Sequence, residues 1–238
     1  MALVLDSVRK EYGDVVAVAD ASLRIDGGFH CLIGPNGSGK TTLVRLLLGL
    51  TRPTDGRVGV PDGAVGCGFQ EPNFYPGLTV RENVAVFADL VGASDAEWRE
   101  TLVDELRLRP AMDRRAANLS GGFARKLDLA LGLLKRPEYL LLDEPLGALD
   151  DVSKARLLEF LAEYAESHAV LVSTHHVAEF EPYLDRVTVV HDGEVLLDAD
   201  PANLDSGGRS LQEHYVTLVR DHDTGSPRRQ SGTVPEER

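Results

Sequence analysis

The residues with the plainest chemical potential are Gly34-Pro35-Asn36-Gly37-Ser38-Gly39-Lys40-Thr41, followed by Thr42. They match G-x-x-x-x-G-K-[ST], a spacing suited to holding a chain of phosphates. Glycines let backbone N–H groups turn toward phosphate oxygens where a Cβ would collide. A helix starting here adds the partial positive charge of its N-terminus. Lys40 is placed to reach β- and γ-phosphates, and Thr41 offers a hydroxyl to Mg2+. A second candidate is Asp143-Glu144, which ends the apolar run Tyr139-Leu140-Leu141-Leu142. Asp143 suits a Mg2+ ligand acting through water, and Glu144 suits a carboxylate that orients and polarises an attacking water. A third is Ser120-Gly121-Gly122, between Leu119 and Phe123. Serine before two glycines at the head of an apolar-periodic stretch makes a capped, anion-binding helix N-terminus.

These groups need elements to position them. Residues 29–33 read as a short buried strand and 42–48 as a helix start, giving the strand–loop–helix setting the glycine motif requires. Residues 139–142 are apolar enough for a strand covered on both faces, as in a parallel sheet, whose C-terminal ends are where such sheets place ligands. Further strands are expected over 2–9 and 16–25 about a turn at 11–14, near 57–60 and 65–69, and over 169–173. A hairpin is expected over Arg186–His191 and 194–198 around Asp192-Gly193. Thr79 with Glu82 forms a capping box that opens one helix. Other helices are expected from a Ser94 cap to about 106, after Ser120, from a Ser153 cap to about 166, and over 210–220. Residues 222–238 are turn-rich and poor in apolar side chains and are expected to be a disordered tail.

Composition narrows the classes. The 238 residues are 43% hydrophobic, enough for a sizeable core. No run of about 18 apolar residues is present, and the N-terminus lacks a basic-then-apolar signal layout, so a cytoplasmic chain is expected. Cys31 and Cys67 fall in expected strands without a C-x-x-C spacing and read as small buried hydrophobes. A net charge of −13 argues against direct nucleic-acid binding, which needs clustered cations. There are 5 Lys against 20 Arg and 21 Asp against 17 Glu, a balance that resembles cytoplasmic proteins of salt-accumulating organisms. An ordinary acidic bacterial protein from a GC-rich genome is the alternative.

With Leu119-Ser120-Gly121-Gly122 joined to the first two motifs, the chain resembles the ATP-binding cassette (ABC) ATPases over roughly residues 2–205, with Phe123 where that family usually has Gln. The resemblance implies a P-loop α/β fold: a mainly parallel core sheet, an antiparallel β layer and a helical subdomain at about 71–135, all within one domain spanning 1–221. It implies that Tyr12 stacks on adenine, that Gln70 senses Mg2+ and the attacking water, and that Gly147-Ala148-Leu149-Asp150 crosses a dimer interface. His175 would contact the γ-phosphate. ATP and Mg2+ are the implied ligands, with Lys40, Gln70, Glu144 and His175 catalytic. The implied partners are a second ATPase chain, in a homodimer, and a separate membrane-spanning transporter subunit. Through that subunit alone the chain would reach the inner face of the cell membrane. Pro76-Gly77-Leu78-Thr79-Val80-Arg81-Glu82-Asn83 and Leu127-Asp128-Leu129-Ala130 are similar to ABC-2 type export ATPases, of haloarchaeal kind on composition. A soluble ABC ATPase of iron–sulfur assembly or another cytosolic machine remains the alternative, and a non-hydrolysing nucleotide switch is disfavoured by the presence of Glu144 and His175.

Overall fold

Alternating and continuous apolar runs become, in chain order, β1 (Leu3–Tyr12), β2 (Val15–Ile25), β3 (Gly28–Ile33), α1 (Lys40–Leu47), β4 (Asp55–Gly59), β5 (Val65–Gly68), α2 (Val80–Val91), α3 (Ala96–Glu105), α4 (Gly121–Leu133), β6 (Tyr139–Asp143), α5 (Asp151–Ala165), β7 (Ala169–Thr174), β8 (Arg186–His191), β9 (Glu194–Ala199) and α6 (Leu211–Gly225). This computed structural model describes residues 2–61, 65–204 and 210–225. The chain forms two units, one made of Met1–Pro61 with Ser173–Arg238 and the other of Asp62–Val172.

In the first unit the strands run in the order β4-β1-β2-β9-β8-β3. One end is an antiparallel layer: β1 pairs β2 from Leu3↔Ile25 to Tyr12↔Val15 and pairs β4 on its other edge. The other end mixes directions, with β3 parallel to β8 and β8 antiparallel to β9. The β8–β9 hairpin turns at Asp192 and Gly193, both with positive φ (47° and 77°), as an Asp-Gly two-residue turn requires. β3 is buried through Phe29–Ile33, and Cys31, Ile33, Val187 and Val189 form a core closed by Leu211 and Tyr215 of α6. Cys31 is buried, as expected, whereas Cys67 is half-buried. His30 is buried too; its Nε2 lies 2.8 Å from Thr188 Oγ1, and burial pushes its imidazole down to about 4. It is a neutral structural residue.

In the second unit the strand order is β7-β6-β5, with β5 parallel to β6. All five residues of β6 are buried. α4 lies close on β5: a Cβ on Gly66 would come 2.2 Å from the Gly132 carbonyl oxygen. That approach carries the first turns of α4 to the C-terminal end of β5. Trp98 anchors α3 by donating its indole N–H to Leu133 O at 2.8 Å.

Most expected elements are present, with instructive shifts. The Thr79–Glu82 capping box holds in both directions. The α3 cap is Asp95, not Ser94, and the α5 cap is Asp150, not Ser153; Asp150 accepts from the Ser153 N–H at 2.9 Å. A carboxylate outcompetes a nearby hydroxyl because its oxygens accept without donating and complement the helix dipole. The last helix continues through Gly225, so 222–225 belong to α6 rather than to a tail, and 226–238 lie outside the described residues.

Candidate active site

Within the first unit, β3 delivers the chain to Gly34 and α1 leaves from Lys40. Gly39 is the N-cap at φ 105°, so no side chain caps this helix, and its first turn carries no acid. The helix N-terminus therefore keeps its partial positive charge with no side chain of the cap or first turn to neutralise it. A Cβ on Gly34 would lie 2.1 Å from Val190 O and 2.6 Å from Ser38 Oγ, and one on Gly39 would lie 2.6 Å from Ala17 O. The β8–β9 turn braces this loop, since Gly193 N–H donates to Ser38 O at 2.9 Å and Gly193 O accepts from Ala19 N–H at 2.8 Å. Lys40 is buried, and its ammonium donates to Gly34 O (2.8 Å) and Pro35 O (3.0 Å). The charge is thus folded back over the loop. Ser38 Oγ is buried with no hydrogen-bond partner among the described residues. An orphaned hydroxyl, a helix N-terminus without an acid and a buried cation in one glycine loop fit a polyphosphate. Thr41 and Thr42 follow in the first turn, both half-buried. Pro35 is half-buried, while Asn36 and Gly37 form the exposed tip. Tyr12 ends β1, with Lys10 Nζ 4.5 Å from its ring centroid. His175 follows β7, exposed, its ring 4.0 Å from that of His176.

Within the second unit, Asp143 is the buried last residue of β6, and Glu144 follows, half-buried, at φ 49°. A left-handed glutamate costs about 1–3 kcal/mol, a strain typical of functional turns. It lifts Glu144 off the strand line just where Asp143 ends it. Ala148 is also left-handed (φ 63°), which tightens the segment that leads to α5. The two glycines after Ser120 meet this segment: a Cβ on Gly121 would lie 3.1 Å from Ala148 Cβ, and one on Gly122 3.1 Å from Ala148 O. Ser120 caps α4, accepting from Phe123 N–H at 3.4 Å, and Ser120 and Gly121 stay exposed. Phe123 is half-buried under Lys126, whose Nζ lies 5.6 Å from the ring centroid. The structure thus groups Ser120, Gly121 and Gly122 with 147–149, and groups Lys40 with the 34–39 loop.

Gln70 is exposed, just past β5, and two side chains of α4 hold the backbone around it in place. Arg125 and Asp128 project from α4, both buried. Arg125 donates to the carbonyls of Phe69 and Gln70. Asp128 accepts from Phe69 N–H (3.1 Å) and Asn73 N–H (2.8 Å). The two side chains lie 3.8 Å apart. Burial lowers the Arg125 guanidinium from its ordinary value, opposed by Asp128, Asp143 and Glu144. Burial pushes the Asp128 carboxyl up to about 6, against the pull of the Asn73 amide, Arg125 and the Phe69 amide. Asn83, fully buried, does the same for the next stretch: its Oδ1 accepts from Tyr75 N–H at 2.8 Å, and its Nδ2 donates to Tyr75 O and Thr79 O. The only signal of this clamp in the sequence is an Arg and an Asp three apart on an otherwise apolar helix face. Tyr75 is 48% exposed, whereas Phe74 is half-buried, so the aromatic pair does not present two open rings.

The family description "ABC transporter" matches residues 19–147. Nod factor export ATP-binding protein I of Paraburkholderia xenovorans (strain LB400) is 35% identical over 220 residues, covering 85% of this chain and 72% of the relative. Aliphatic sulfonates import ATP-binding protein SsuB 1 of Nocardia farcinica (strain IFM 10152) is 38% identical over 201 residues, covering 83% and 81%. A solved structure described as an ATP-binding subunit of an ABC transporter superposes with a TM-score of 0.84 at 28% identity, covering 92% of this chain and 99% of that one. A dimeric post-hydrolysis structure of the ATP-binding cassette MJ0796 with ADP and Pi superposes at 0.72 with 26% identity, covering 83% and 98%. No helix among the described residues is long and apolar enough to cross a membrane. The chain belongs to the ABC transporter family, as one of its ATP-binding ATPase subunits.

Proposed function

We propose that this chain hydrolyses ATP at a site completed by a second copy of itself and so powers export through a separate membrane-spanning subunit. Tyr12 stacks on adenine. The 34–39 loop and the α1 N-terminus hold the phosphates, and Lys40 turns its ammonium from the loop carbonyls to the β- and γ-phosphates. Thr41, Asp143 and Gln70 are the ligand set for Mg2+, which neutralises phosphate charge when bound. Glu144, set off the strand by its left-handed backbone, orients and polarises the attacking water. His175 contacts the γ-phosphate. Ser120, Gly121 and Gly122 of the second copy bring their helix N-terminus to that same phosphate, and the exposed cap of α4 leaves those groups open to it. The dimeric MJ0796 structure supports a pair of chains. Closure then draws on Arg125 and Asp128, which tie Gln70 and its loop to the signature helix so that the segment moves with α4. The helical subdomain at about 71–135 carries that motion onward.

The observation that carries the transport reading is an apolar surface beside the loop after Gln70. Tyr75 lies 5.6 Å from Phe87, and Leu90 (67% exposed) and Val91 continue the patch along α2. Exposed apolar groups clustered beside the loop after Gln70 suit a membrane subunit's cytoplasmic surface. The chain would lie peripherally on the cytoplasmic face, touching the membrane only through that partner. Relatives named for export and for import match at similar identity, so the export direction rests on the 76–83 and 127–130 stretches. No finding favours the soluble-machine alternative. The Tyr75→Ser/Leu90→Ser double variant, co-expressed with the membrane subunit, is expected to lose co-purification and transport while keeping basal ATPase. A folded variant that remains fully coupled places the docking surface elsewhere.

A further inference from the structure

We propose that the junction of β8 and α6 is a binding site for one divalent transition-metal cation, held by His191, His222 and Asp223. These residues lie outside the glycine loop and outside every group assigned above. His191 ends β8 with its side chain 9% exposed, and its Nε2 is 2.7 Å from Asp223 Oδ1. His222 precedes Asp223 on α6 and presents its ring edge-to-face with that of His191, centroids 5.3 Å apart. Each of the three offers one ligand atom, and these atoms all lie within 4.8 Å of one another. Tetrahedral ligands at about 2.0 Å from a metal sit roughly 3.3 Å apart, so adjustments of an ångström or so in side-chain position suffice.

Two further observations point to a ligand. The Nδ1 atoms of His191 and His222 are both buried without a hydrogen-bond partner among the described residues. Buried imidazole nitrogens are ordinarily paired, and a metal ion takes one ring nitrogen from each imidazole. More carboxylates surround the pair: Asp192 Oδ2 is 3.8 Å from His191 Nε2, and Glu194 Oε2 is 3.9 Å from His222 Nε2. They supply a fourth ligand or orient an imidazole through its other nitrogen. Two imidazoles and a carboxylate select Zn2+, Co2+, Ni2+ or Cu2+ over Mg2+ or Ca2+, which prefer all-oxygen cages. Bound there, the cation staples α6 to the β8–β9 hairpin, one residue before the turn whose Gly193 braces Ser38 of the glycine loop.

The test uses the full chain, free of any affinity tag, stripped with chelator and free of nucleotide. Titration with ZnCl2 by calorimetry is expected to give one saturable site per chain and a rise in melting temperature. Co2+ is expected to give the intense visible absorption of tetrahedral coordination, bleached by Zn2+. His222→Ala and Asp223→Ala are each expected to weaken Zn2+ binding by at least about tenfold. Absence of a saturable site overturns the proposal. So does binding that His222→Ala and Asp223→Ala leave unchanged, which locates the ion elsewhere. A loss of stability in these variants with no Zn2+-dependent rise in the wild type leaves only a metal-free His191–Asp223 contact and also overturns it.

Discussion

Arg125→Met tests the clamp between the signature helix and the loop after β5. Methionine keeps much of the stem and removes the fork. The carbonyls of Phe69 and Gln70 lose a charged donor, each worth about 1.5–3 kcal/mol. Asp128 is left as a buried carboxylate without its cation. Effects within one network do not simply add, so the expected loss is the about 3–5 kcal/mol typical of breaking a buried pair. For a chain of this size each kcal/mol moves the melting temperature by about 2–4 °C, giving a fall of roughly 6–20 °C. Asp128→Asn costs less, about 1–3 kcal/mol, because the amide keeps one acceptor for two N–H donors. In the double variant no charge is stranded, so its loss is smaller than the sum of the single losses by at least about 1 kcal/mol. Calorimetric melts of the four proteins in one buffer decide the matter. Single losses that add to within about 0.5 kcal/mol refute the coupling, and an Arg125→Met protein as stable as wild type refutes the clamp.

Two other outcomes follow from the charges. Burial raises the Asp128 carboxyl from an ordinary 3.8 to about 6, so between these values the folded chain keeps a proton that the unfolded chain has released. The corresponding stability is complete below about pH 4 and is lost as pH rises through 6; the wild-type minus Asp128→Asn difference should therefore fall across that window by about 2–3 kcal/mol, and a flat difference contradicts it. A net charge of −13 repels itself across the surface, so melts from dilute to molar KCl should show a rising midpoint as the Debye length shortens to about 3 Å, whereas a flat or falling midpoint counts against a salt-adapted protein.

Local chemistry was the legible part of this sequence. The glycine loop, the Tyr139–Asp143 strand with its acids, and the Thr79–Glu82 box each carry their instructions in adjacent residues, and each appears where expected. Competing neighbours were less legible: Ser94 and Asp95 are both good caps, and the choice depends on where Trp98 must fall to reach Leu133. Contacts distant in sequence were not legible at all. Arg125 and Asp128 act on residues more than fifty positions earlier, and Asp223 meets His191 from thirty-two positions away. A composition-based tail therefore absorbed residues that the fold recruits into α6. In the sequence Asn83 is only the end of the 76–83 stretch; its value lies in satisfying three backbone groups of a loop whose path only the fold defines.

The central claim is that Glu144 supplies the carboxylate for hydrolysis at an ATP site closed by a second chain. The most direct measurement pairs steady-state ATPase activity with size-exclusion chromatography in MgATP for wild type and Glu144→Gln. The wild type is expected to turn over ATP, whereas Glu144→Gln is expected to bind ATP, to hydrolyse it at least about a hundredfold more slowly, and to elute as a dimer. A Glu144→Gln protein that stays monomeric and hydrolyses ATP at the wild-type rate contradicts that claim.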